Sequence, residues 1–212
     1  MDNNPSKFKG DDLPVERVSW YDCVEYCNKR SIIEGLQPYY NIHKNKKDPN
    51  NKNPVDSTKW KVTMNKKANG YRLPTEVEWE YAASGAQMSQ NYTYSGSNNI
   101  DQVAWYWKNS GDTILSDPWK WSKIKNNHGQ THVVGLKKPN ELGIYDMSGN
   151  VREWCQNWYI DEHFDTGFLR AQRGGGWLGG GHACVISFRG KFDANGKGPD
   201  QGFRICRSKK TE

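Results

Sequence analysis

The stretch Gly143-Ile-Tyr-Asp-Met-Ser-Gly-Asn-Val-Arg-Glu-Trp154 decides the fold. Two strand-like pieces, 143–147 and 153–159, meet at the tight turn Ser148-Gly-Asn-Val151. Downstream, 170–177, 184–189 and 202–206 read the same way. Short strands separated by glycine-rich turns suit an antiparallel sheet. The spacing suggests no parallel βαβ series, and no internal repeat is visible.

Upstream of that stretch, 14–18 alternates apolar and charged residues and reads as a short strand. Ser19-Trp-Tyr-Asp22 has the form of a capping box and predicts a helix over 20–33. Trp20, Val24, Cys27 and Ile32 recur there at helical spacing, and Gly35 can stop the helix. The block Gly70-Tyr-Arg-Leu-Pro-Thr-Glu-Val-Glu-Trp-Glu-Tyr81 holds a second capping box, Thr75-Glu-Val-Glu78. It predicts a helix over 74–84 that ends at Gly85, with Val77, Tyr81 and Trp79 turned to the core. Residues 40–69 are rich in Asn, Lys and Pro. They read as a surface excursion with one strand, 59–63. Residues 86–142 are mostly loop, with apolar islands at 103–107 and 132–135.

Only 34% of the 212 residues are hydrophobic, but 10 Trp, 11 Tyr and 6 Phe offset this. Each buried ring removes roughly 150–250 Å² from water, so a small core rich in rings is expected. The net charge is +6. Its lysines lie in polar, loop-like stretches and read as a solvated surface. No nucleic-acid recognition motif appears, which argues against that partner. There is no apolar run long enough to span a membrane and no signal peptide. The five cysteines lack zinc-site spacing. The histidines show no paired spacing. Gly174-Gly-Gly-Trp-Leu-Gly-Gly-Gly181 lacks the Gly-Lys-Ser/Thr ending and the following helix of a phosphate loop.

These blocks, followed by Arg170-Ala-Gln-Arg-Gly-Gly-Gly-Trp177 and Gly202-Phe-Arg204, resemble the formylglycine-generating enzyme family. The resemblance implies an α+β fold, a variant of the C-type lectin fold. Two helices would flank a small, twisted antiparallel sheet under long loops, in one domain over 1–212. Met1-Asp-Asn-Asn-Pro-Ser-Lys-Phe8 corresponds to a point inside the family's domain, so the family's N-terminal segment is expected to be missing. The link carrying Trp119-Lys-Trp121 resembles an insertion. The resemblance also implies a Cys27–Cys206 disulfide, with Cys206 one residue off its position. At the Ser148–Glu153 turn it implies a structural calcium. Carbonyls of Ser148, Gly149 and Val151 would hold it beside Asn150, with the carboxylate of Glu153. The alternative is that Glu153 pairs with a nearby arginine. No other cofactor is required.

The resemblance covers two trades, oxidation and display. Oxidase members hold Cu(I) between two cysteines five residues apart. Counting from Arg170 puts these positions at Gly179 and Cys184. Glycine has no side-chain ligand atom, and one thiolate cannot form that site, so oxidase activity is not expected. The remaining pattern is similar to the variable proteins of bacterial diversity-generating retroelements. Arg173, Gly174, Gly175, Trp177, Cys184, Arg189, Gly202, Phe203 and Arg204 fit their frame within a candidate variable region, 170–206. The fill positions are Leu178, Gly179, Gly180, Gly181, His182, Ala183, Val185, Ile186, Phe188, Gly190, Phe192, Asp193, Asn195, Gly196, Gly198 and Asp200. They show no period of 2 or 3.6, which is natural for a contact surface. The expectation is a non-catalytic, receptor- or adhesin-like protein at the bacterial surface or outside the cell. Its variable face would bind a protein or glycan on another cell or surface. A fixed-sequence non-catalytic member and a copper oxidase acting on sulfatase cysteine are the alternatives.

Overall fold

The computed structural model describes residues 4–163 and 165–208, so the expectation built on the start at Met1 lies partly outside the described residues. Helix α1 spans Trp20–Ile33. The Ser19 hydroxyl accepts from the Asp22 amide at 3.1 Å. The Asp22 carboxylate accepts from the Ser19 amide at 2.8 Å. A cap of this kind contributes about 1 kcal/mol. Trp20, Val24, Cys27 and Ser31 form the buried stripe. Ile32 falls one residue past that stripe and is 64% exposed, against expectation. Gly35 closes the helix at φ +67°, its amide donating to the Ile32 carbonyl.

Helix α2 spans Glu76–Ala83 with the expected Thr75/Glu78 capping box. Its inward face is Glu76, Trp79 and Ala83. Val77 and Tyr81 were expected to point inward, yet they are exposed. They share one stripe, and Trp79 lies on the opposite side at 3.6 residues per turn. Only one stripe can face the core. The indole, with a buried partner for its N–H, occupies it.

The excursion after α1 holds two strands where one was expected. They are β1 (Tyr40–Lys47) and β2 (Trp60–Met64), which form an antiparallel hairpin. A second small pairing joins β3 (Tyr71–Arg72) to β8 (Cys206–Arg207). The central sheet has four strands: β4 (Arg152–Trp158), β5 (Arg170–Arg173), β6 (Gly190–Phe192) and β7 (Gln201–Gly202), in the order β6-β5-β4-β7. The β4–β5 and β5–β6 contacts are antiparallel. The β4–β7 contact is parallel, with Arg152 opposite Gln201, and corrects the all-antiparallel expectation.

Three expected strands are absent. In 14–18, Arg17 adopts φ +59°, which breaks an extended run. Beside it the buried Glu16 carboxylate accepts from the Lys7 and Phe8 amides. In 143–147, Asp146 at φ +56° interrupts the run. The 184–189 piece follows a 3₁₀ turn, Gly181–Cys184, and continues as loop. Two short helices, α3 (Ile100–Val103) and α4 (Trp121–Asn126), punctuate the long loop region.

The core is built from rings. Trp20, Tyr21, Tyr40 and Trp154 pack with Val18, Val24 and Leu73. Trp79 and Tyr159 pack with Met147 and Ala171. Tyr106, Trp107 and Trp177 pack with Ile124 and Cys184. Arg170 is clamped between the Trp20 and Trp158 rings at 3.7 and 3.6 Å. The expected Cys27–Cys206 disulfide is not formed, and all five thiols are free. Burial, and then the neighbouring Cys206, push the Cys27 thiol well above its usual range.

Candidate functional site

The turn at 148–151 is the structural hub. Gly149 (φ +80°) and Asn150 (φ +62°) are both left-handed. A Cβ on Gly149 would come within 2.4 Å of the Trp105 carbonyl, so glycine is required there. The Gly149 amide donates to the Gly174 carbonyl at 2.7 Å. The Trp177 amide donates to the Asn150 carbonyl at 2.9 Å, and the Ser148 hydroxyl to the Cys184 carbonyl at 2.8 Å. Thus the glycine-rich segment 174–184 is laid across the hub.

The candidate calcium residues are brought together, but their side-chain oxygens are occupied. Glu153 is 4% exposed. One of its oxygens accepts from Trp79 Nε1 at 2.6 Å and from Arg204 Nε at 2.7 Å. The other accepts from Arg204 Nη2 at 2.7 Å. The Asn150 side chain exchanges two bonds, each 3.0 Å, with the backbone of His132. A spare oxygen on Asp146 lines the same small cavity as Arg204 and Glu153. Calcium takes six to eight oxygens. The expected set would draw the rest from the Ser148, Gly149 and Val151 carbonyls, to which no backbone amide among the described residues donates.

Cys184 is fully buried, and burial pushes its thiol up to about 12. A thiol shifted in this way is a weak nucleophile at neutral pH. At Gly179 a Cβ would sit 3.0 Å from Arg152 Nη2. A guanidinium therefore flanks the position where the family resemblance puts a second cysteine.

Above the hub lies an open groove of about 990 Å³. Its floor carries Arg152, Gln172, Asp200 and Gln201, and its walls carry Tyr94, Tyr106, Trp107, Trp119 and Phe192. The Trp119 indole is fixed by a 3.0 Å bond from Nε1 to the Leu178 carbonyl. Arg152 Nε reaches Asp200 at 3.2 Å. The Gln172 Nε2 is buried without a partner.

Of the fill positions, Leu178, Gly179, Gly180, Gly181, His182, Phe192, Gly198 and Asp200 line the groove. Val185, Ile186, Phe188, Asp193, Asn195 and Gly196 do not. Ala183, Gly190 and Asp200 are buried. Ala183 is held under the hub beside Cys184. Gly190 sits in β6, where a Cβ would come 3.1 Å from the Gln172 carbonyl. Asp200 is tied to Arg152. Ile186 packs on the Trp79 cluster.

Sequence reading missed Arg152 and Gln172. Arg152 stands between the buried Val151 and Glu153, and strand alternation could have turned it outward to the groove. Polar side chains throughout Arg170-Ala-Gln-Arg173, a central strand buried at every position, were the available signal for Gln172.

Residues 1–209 match a family described as a sulfatase-modifying factor enzyme 1-like domain. The "Chaperone protein LppX" of Paenibacillus barcinonensis is 60% identical over 209 residues, covering 99% of this chain and 75% of that protein. The formylglycine-generating enzyme of Streptomyces coelicolor is 31% identical over 140 residues, 59% of this chain and 42% of that enzyme. The "Inactive C-alpha-formylglycine-generating enzyme 2" of Mus musculus is 25% identical over 208 residues, 93% of this chain and 50% of that protein. Relatives thus include proteins named as active and as inactive. Among solved structures, Treponema denticola variable protein 1 superposes with a TM-score of 0.76 at 31% identity, covering 98% of this chain and 79% of that one. The fold is the C-type-lectin-like fold of that group.

Proposed function

We propose that this chain, which belongs to the sulfatase-modifying-factor family, binds a partner protein through the groove above its Ser148–Val151 turn and performs no oxidation. One observation carries the reading. Where the family resemblance asks for a pair of thiols, the chain has one buried thiol, Cys184, and a glycine flanked by the Arg152 guanidinium. The groove that remains is open, walled by aromatic rings and floored by polar groups. Few placed polar groups within an apolar cleft suit binding. The name of the 60% identical Paenibacillus relative supports a protein partner, handled as a chaperone handles a client. A role at the bacterial surface or outside the cell is part of this proposal.

The test has two arms. A sulfatase-type cysteine peptide, incubated with the chain, copper and oxygen, should show no mass change to formylglycine. Pull-down with a candidate client secreted by the same organism should succeed, and Arg152→Ala with Leu178→Ser should weaken it at least tenfold. Conversion of the peptide would overturn the reading, as would client capture unchanged by the groove variants.

A second reading, a sequence-variable groove, is favoured by the likeness to the Treponema variable protein. The burial of Ala183, Gly190 and Asp200 limits it to the exposed fill. Sequencing this gene across isolates tests it. Substitutions clustered at Leu178, His182 and Phe192 would favour it, and uniform drift would sink it. We also propose that the Glu153 turn works without metal, because Arg204 and Trp79 already satisfy its carboxylate. Melting in millimolar calcium and in chelator should then coincide.

A further inference from the structure

The long excursion between Trp107 and Thr131 carries an arrangement of which the groove uses only Trp119. Ile114 is 84% exposed, Trp119 49% and Trp121 45%. Lys120 lies between the two indoles, and Lys123 and Lys125 follow on α4. No salt bridge among the described residues involves these three lysines, whereas Lys52, Lys108, Lys191 and Lys197 all find carboxylates. The acidic residues of this excursion are already taken, Asp117 by Lys108 and Asp112 by His128. The segment is also anchored from below. Ile124 is fully buried against the Trp177 cluster, and the Trp121 ring lies 6.4 Å from the Trp177 ring.

Half-exposed indoles on a fixed base, flanked by unpaired ammonium groups, match the chemistry of a bilayer interface. Indoles settle at headgroup level, and lysine stems lie along apolar surface with their charge among phosphates. A protein surface fits less well, because lysine is depleted from protein interfaces. We infer that this segment docks on the anionic headgroup surface of a lipid bilayer. Ile114, Trp119 and Trp121 enter the interface, and Lys120, Lys123 and Lys125 meet the phosphates. Among the described residues no helix is long and apolar enough to cross a membrane, so the contact described here is peripheral. The inference is independent of the groove reading and shares only Trp119 with it.

The test is flotation of the full chain with vesicles of mixed phosphatidylglycerol and phosphatidylcholine, against phosphatidylcholine alone. Binding should appear only with the anionic vesicles and fall on the order of tenfold as salt shortens the screening length. The triple variant Lys120→Gln, Lys123→Gln, Lys125→Gln should lower the partition coefficient on the order of a hundredfold. Ile114→Ser should weaken it with the charge intact. Brominated lipid should quench tryptophan emission in the parent and less so in Trp121→Ser. Melting curves of each variant separate loss of docking from loss of fold. The inference fails if anionic vesicles bind no better than neutral ones, or if the triple variant floats like the parent. Binding to soluble polyglutamate but not to vesicles would assign the segment to an acidic protein and sink the bilayer proposal.

Discussion

The hub and the groove rim use the same residue type in opposite ways. In the hub, Trp79, Trp154 and Trp177 are almost completely buried, and each indole N–H has a partner: Glu153, Val18 and Pro199 respectively. At the rim and on α4, Trp119 and Trp121 are half exposed. A tryptophan that buries both faces and satisfies its N–H fixes the frame. One that keeps a face in water is available for contact. With so little aliphatic residue in the chain, rings must supply both roles, and exposure tells them apart, since the Trp119 N–H also has a partner.

The strongest way to break this contrast is Trp177→Ala. It should lower unfolding free energy by about 4 kcal/mol, the range for losing a buried ring. Denaturant titration checks it, and a normal midpoint would move Trp177 to the rim group. Next comes Glu153→Gln. It leaves the half-buried Arg204 guanidinium short of its partner, and losing hydrogen bonds to a charged group costs about 2 kcal/mol. A loss of only a few tenths would mean that water reaches the pair.

Titration sharpens the contrast at the edge of the frame. The Arg72 guanidinium, at 2.7 Å, holds the Glu78 carboxyl down at about 2. A depressed folded pKa gives stability that is full above the ordinary glutamate range. That stability is lost as pH falls from there toward 2. Glu78→Gln should flatten the decline in that window and leave neutral pH little changed beyond the weakened cap. An unchanged acid limb would show the Arg72 contact to be energetically idle. The smallest effects belong to the rim. His182→Ser and Phe192→Ser should each shift stability by less than about 0.5 kcal/mol. Larger losses would place these residues in the frame.

Legibility in the sequence follows the range of the interaction. Helices α1 and α2 declare themselves through capping boxes that act within three residues. The left-handed turn at Gly149 and Asn150 is equally local. What failed depends on distant partners. The β1 strand is mostly lysine and asparagine, and its pattern is set by pairing with β2 rather than by burial. The β4–β7 contact joins pieces about fifty residues apart through two residue pairs, too few to leave a periodic trace. Glu16 reads as one charged residue in an alternating run, yet in the fold it binds two amides upstream. For the groove, the glycines and Leu178 were legible from the motif frame. Arg152 and Gln172 were not, because their roles arise only when β4, β5 and the 178–182 loop converge.

Asn150 has one more consequence. Its amide donates to the Trp105 carbonyl at 2.8 Å, and its side chain holds the backbone of His132 by two bonds. Trp105 and His132 also stack, with ring centroids 3.8 Å apart. A single asparagine therefore fastens both ends of a span of more than twenty residues, the span that supplies one wall of the groove and the exposed tryptophans. Doubling the length of a closed loop adds only about 0.6 kcal/mol. The exposed part of that span, outside the buried Trp107 and Ile124, can accordingly be lengthened, shortened or exchanged with little penalty to the frame, as a bit is changed in a chuck. Descent within this family can thus remodel what the molecule touches while leaving untouched what keeps it folded.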